Sequence, residues 1–158
     1  MKSVSVKSIE NAIAKVDNLD DEGLEKIATY YSTAQPILLG YAGQAATEYD
    51  NNELEGVLIY YFCLIAEAFS QEGLTPKEVT EDMIDEFEEP FFSVLDDFFN
   101  TDNPDGLEEF SDQSELIRFM LMEISEPDTD GTELSDETAT QLFIVASAMI
   151  SLLSKASE

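Results

Sequence analysis

The sequence predicts a single all-α domain of about seven helices, arranged around a buried central helix and a buried C-terminal helix. Three observations carry that prediction. Apolar residues recur three and four apart along nearly the whole chain, which is the spacing of one helix face. Residues that start helices, such as Ser8, Asp20, Pro36 and Ser135, stand just ahead of those apolar runs. The chain has 158 residues and is 44% hydrophobic, with no internal repeat or flexible linker, so it holds enough apolar material for one core despite its acidity.

Taken in order, Ser8 is expected to cap a short first helix with Ile9, Ala12, Ile13 and Val16 on one face. Asp20 or Asp21 starts the second, with Leu24, Ile27, Ala28 and Tyr31 inward. Pro36 suits the first turn of a third helix ending near Glu48, where Gly40 and Gly43 share a side and would permit close backbone approach. After the polar break Asp50-Asn51-Asn52 comes a fourth segment, Glu53 to Ser70. Its Val57 to Ile65 run has the composition of a buried strand. Length decides for helix: there is no turn signal until Gly73, and Leu54, Leu58, Tyr61, Ile65, Ala68 and Phe69 keep helical spacing.

Thr75-Pro76 with Glu78 predicts the start of the fifth helix, with Thr75 as cap. Its apolar stripe is Val79, Met83, Phe87, Phe91, Val94 or Leu95, and Phe98, and Pro90 is expected to kink or divide it. Asn100 to Gly106 reads as a turn, Ser111 or Ser114 starts a sixth helix reaching Ile124, and Glu126 to Thr132 forms an acidic loop. Ser135 then caps the last helix, whose Leu142 to Leu153 is apolar nearly all round and so belongs in the centre of the fold. That run is shorter than the roughly 20 residues a bilayer span needs.

Charge is the chain's most uneven property. The net charge is −28, and residues 72–137 hold twenty-three Asp and Glu against only Lys77 and Arg118. Solubility alone is served by a net charge of about 2 to 8 on a small domain. Such a surface repels nucleic-acid phosphates and anionic headgroups, which argues against direct DNA, RNA or membrane-surface binding and for a basic protein as partner. Cys63, the only cysteine, lies inside an apolar run and reads as a buried, inert thiol. Residues 1–16 lack the continuous apolar stretch of a secretory signal, so a cytoplasmic setting is expected. With no histidine in the chain, catalysis by a Ser-His or Cys-His pair is excluded, and any enzymology would run on carboxylates and metal. No cofactor is otherwise implied.

The leading candidate site is the acidic face of the fifth helix: Glu78, Glu81, Asp82, Asp85, Glu86, Glu88 and Glu89. Read as helix from Pro76 to Glu89, these acids less the charge of Lys77 give one net charge per roughly 3.5 Å of axis, against one per roughly 3.4 Å along a strand of B-DNA. The helix then displays charge like a phosphate backbone, and Asp96, Asp97, Asp102, Asp105, Glu108, Glu109 and Asp112 continue the sign. The bland reading of such a face is a solvated helix surface. Two aromatic doublets, Phe91-Phe92 and Phe98-Phe99, interrupt it. The ordinary outcome is that all four rings pack in the core, but neighbours on a helix point about 100° apart. Exposed Phe92 or Phe99 would suit an anchor for a protein partner.

Two further patterns resemble metal sites. Residues 126–137 resemble an EF-hand loop through Glu126, Asp128, Asp130, a backbone carbonyl at Thr132, Gly131 at the turn and Glu137 at the last place. The resemblance implies calcium binding; Glu126 in place of Asp, Pro127 and the charged Glu133 depart from it. Glu86-x-x-Glu89 with Glu109-x-x-Asp112 resembles the magnesium-binding carboxylate pairs of all-α nucleotide pyrophosphohydrolases, although no Lys or Arg cluster accompanies it. Adaptation to high salt is a further explanation of the charge, and it calls for an even spread. The reading that takes in the uneven spread is an acidic binding protein that occupies and inhibits a basic, nucleic-acid-handling protein by DNA-like charge mimicry. Two settings fit, an anti-defence inhibitor or an immunity protein that neutralises a basic nuclease toxin.

Overall fold

The computed structural model describes residues 3–103, 105–125 and 135–157. Among these are eight helices and no strand: α1 Val6–Asp17, α2 Asp21–Ala34, α3 Pro36–Tyr49, α4 Asn52–Gln71, α5 Glu81–Thr101, α6 Asp105–Ser111, α7 Ser114–Ser125 and α8 Asp136–Ala156. The extra helix is α6, which takes up part of the expected Asn100–Gly106 turn.

α4 and α8 carry much of the core. Every position of the α4 stripe, Leu54, Leu58, Tyr61, Ile65, Ala68 and Phe69, is buried, and α4 packs against α1, α2, α3 and α8. The β-rich composition of its middle is overridden because burial on several sides rewards bulky apolar residues in either conformation. α8 packs against α3, α4, α5, α6 and α7. It extends well beyond the Leu142–Leu153 run: Glu137–Ala156 is long and apolar enough to cross a membrane, and 78% of that window is buried inside the fold.

Side-chain oxygens set most helix starts. Ser5, Asp20, Asn51, Thr80 and Ser135 accept hydrogen bonds from the first turns of α1, α2, α4, α5 and α8. Ser8, the expected first cap, instead donates its own N–H to Ser5 Oγ at 3.2 Å. Asn51 also donates to Thr138 Oγ1 at 2.9 Å and to Gln141 Oε1 at 2.8 Å, so one side chain joins the starts of α4 and α8. In α2 only Tyr31 is buried, while Leu24, Ile27 and Ala28 are half-buried against the core. The close backbone approach expected at Gly40 and Gly43 is absent, since a Cβ at either would meet nothing within 4 Å.

Candidate functional site

α5 starts later than its sequence signals imply. Residues 74–80 are not helical, and Thr80 is the cap, accepting the Met83 N–H at 3.2 Å. The segment ahead of it is held by backbone groups. Gln35 donates its side-chain amide to the Lys77 carbonyl at 2.8 Å and accepts the Val79 N–H at 2.8 Å, while the Lys77 N–H donates to the Ala156 carbonyl at 2.9 Å. Gln35 and Val79 are buried, so these bonds fix the entry of α5 against the α2–α3 junction and the end of α8. Glu78 therefore precedes the acidic helix and is exposed.

The inward stripe of α5 is Ile84, Phe87, Phe91 and Leu95, with Met83, Val94 and Phe98 half-buried. Pro90 sits inside the helix without ending it. Its position is exposed, so the carbonyl that loses its hydrogen-bond donor lies toward water, where the loss is tolerated. On the outer face Glu81, Asp82, Asp85, Glu86, Glu89, Asp96 and Asp97 are exposed and Glu88 is half-buried. No ion pair between described residues engages any of them. The later helix start replaces the Pro76–Glu89 ruler. From Glu81 to Asp97 eight carboxylates lie along about 24 Å of axis, about one per 3 Å, still close to the spacing of a DNA strand.

The phenylalanine doublets split. Phe91 is buried and Phe98 half-buried, whereas Phe92 and Phe99 are 49% and 53% exposed. Core packing of all four is thereby overturned, because the 100° step between neighbours leaves room inside for only one ring of each pair. Phe92 and Phe99 lie two turns apart on one edge of the acidic face.

That edge borders a groove that sequence reasoning missed. α3 and α5 both pack on α8 but make little contact with each other. The opening between them is formed by two adjoining hollows of about 270 and 450 Å³ that share Tyr41, Gln44 and Glu88. Its floor is apolar, with Ile84, Phe91, Val145 and Ala148 and the half-buried Ile144, and Phe92 stands at its border; Glu48, Glu81, Asp85 and Glu88 make it acidic. Burial pushes the Tyr41 hydroxyl up to about 12, and the charge of Glu88 adds to the shift. The recurrence of Tyr41, Gln44, Ala45 and Glu48 at helical spacing marked this face of α3, but nothing in the sequence said that α5 lies opposite.

The acids after α5 do not all join the display. Asp96, Asp97, Asp102, Asp105, Glu109 and Asp112 are exposed, but Glu108 is buried. It accepts from Arg118 Nε at 2.8 Å and Nη2 at 3.1 Å, which ties α6 to α7. Asp102 and Asp112 sit at φ 55° and 59°, left-handed positions at helix ends that aspartate tolerates.

Glu86 and Glu89 on α5 do not join Glu109 and Asp112 in a cluster, and no group of three or more metal-ligating side chains forms among the described residues. Of the calcium-loop positions, Glu126, Asp128, Asp130 and Thr132 lie outside the described residues. Glu137 is exposed in the first turn of α8. Cys63 is buried, and burial followed by the charge of Glu67 pushes its thiol up to about 11. Searches of protein-family models, of curated proteins and of solved structures find no match to this chain.

Proposed function

We propose that this chain is an acidic binding protein that occupies the nucleic-acid-binding surface of a basic protein and inhibits it by charge mimicry. The observation that carries the reading is the outer face of α5, where seven exposed carboxylates stand without an ion pair to any described residue, at an average axial spacing close to that of phosphates along DNA. A fold gains nothing from such repulsion, which opposes compactness. A partner that grips DNA through Lys and Arg gains on this face the electrostatic attraction it gains on DNA. Phe92 and Phe99 add apolar anchors beside the charge. Cytoplasmic residence belongs to the same reading. The neighbouring genes would separate its two settings, a toxin gene marking immunity and phage genes marking anti-defence.

The test replaces Asp82, Asp85, Glu86 and Glu89 together by Asn or Gln. Circular dichroism is expected to be unchanged, while capture of a basic protein from a lysate is lost and wild-type capture is reversed by added duplex DNA. Capture that survives both the substitutions and excess DNA would sink the proposal.

A further inference from the structure

Gly40 lies in the middle of α3, where glycine weakens a helix and where the fold does not require it, since a Cβ there would meet nothing within 4 Å. It lines the opening between α3 and α5, so a larger side chain there would stand at that opening. The lined length, from Glu81 to Phe92 on α5, is about 16 Å, or three helical turns. An apolar floor flanked by carboxylates and bordered by an exposed phenylalanine is complementary to one kind of element, an amphipathic helix with a basic face. We infer that the α3–α5 groove receives a basic amphipathic helix of the partner protein, its apolar side against Tyr41, Phe92 and Ile144 and its Lys or Arg side chains on Glu48, Glu81 and Glu88. This rests on the proposed basic partner and adds the element by which it is held. Helix-in-groove recognition supplies the affinity through apolar anchors at three- and four-residue intervals, while the acidic residues orient the helix.

The inference is tested on the full chain with two synthetic peptides of identical composition, each of about eighteen residues, built from Leu, Lys, Ala and one Trp. One places Leu and Trp on a single helical face; the other is scrambled. The protein has no tryptophan, so the emission reports the peptide alone. The amphipathic peptide is expected to bind with a blue shift and at least about tenfold more tightly than the scrambled one. Gly40→Leu, which changes no charge and fills open space, is expected to abolish that preference, and Phe92→Ala to weaken it. Replacing Asp82, Glu86 and Glu89 by Asn or Gln, which leaves the groove carboxylates Glu48, Glu81, Asp85 and Glu88 in place, is expected to weaken both peptides, which tests the charge reading separately. Equal binding of the two peptides, absence of a blue shift, or a folded Gly40→Leu protein that keeps the preference would each overturn the groove assignment. Loss of charge dependence with the preference retained would instead overturn the mimicry.

Discussion

Glu67 is a carboxylate at 2% exposure, beside Cys63 in the most apolar stretch of α4. Burial pushes its pKa up, yet hydrogen bonds from Lys15, Tyr31 and Gln71 outweigh that and hold it below the usual carboxylate range. The Lys15 Nζ lies 2.6 Å away and is itself half exposed, and the Tyr31 hydroxyl donates to the other oxygen. A folded-state pKa that is depressed stabilises the fold above the unfolded value of about 4.3 and ceases to do so as pH falls through the folded value. Glu67→Gln is therefore expected to cost about 1–3 kcal/mol at neutral pH, with the difference from wild type shrinking below about pH 4 in denaturant titrations. A pH-independent difference would show that packing, not charge, carries the effect. Tyr31 and Tyr60 move the opposite way, both raised by burial and by hydrogen bonds to Glu67 and Asp17. Their contribution is complete below about pH 10 and is lost above it.

At the scale of the element, α5 shows what the sequence could and could not reveal. Its inward Phe87 and Phe91 and its acidic outer face were legible because both follow the helical repeat. Its start was not. Thr75-Pro76 with Glu78 carries the local signature of a helix opening, but Gln35, more than forty positions earlier, claims the Val79 N–H and the Lys77 carbonyl and keeps the segment out of the helix. The doublets illustrate the same limit: periodicity says that the rings of a pair diverge, and only the packing of α8 and α6 decides which one is covered. Phe87 is fully buried, stacked on Phe91 with centroids 4.6 Å apart, so Phe87→Ala is expected to cost about 3–5 kcal/mol. Phe92→Ala and Phe99→Ala are expected to cost less than about 1 kcal/mol in the same unfolding measurement. Costs as large at Phe92 as at Phe87 would mean that its ring supports the fold and is not free to serve as an anchor.

For the whole molecule, helical periodicity announced an all-α chain and the placing of the acids a lopsided charge, and the core of α4 and α8 followed from their apolar length. The groove did not, because it arises from two helices that rest on a third without closing on each other, a relation between distant segments that no local pattern encodes. The net charge of −28 opposes the compact state, and salt screens that repulsion over a Debye length of about 10 Å at 0.1 M. Melting temperature is expected to rise from low to moderate salt and then level off; a continued need for molar salt would favour adaptation to brine over a partner-directed surface.

If the acidic face of α5 stands in for DNA, this protein and a DNA duplex compete for one surface of the partner. A basic partner obtained by capture is loaded with a fluorescently labelled DNA duplex, and the duplex's anisotropy is followed as this protein is added. With mimicry, anisotropy falls to the value of free DNA, the displacement weakens steeply with salt, and the Asp82, Asp85, Glu86 and Glu89 variant fails to displace. A ternary complex in which the duplex stays bound while the protein binds would rule mimicry out.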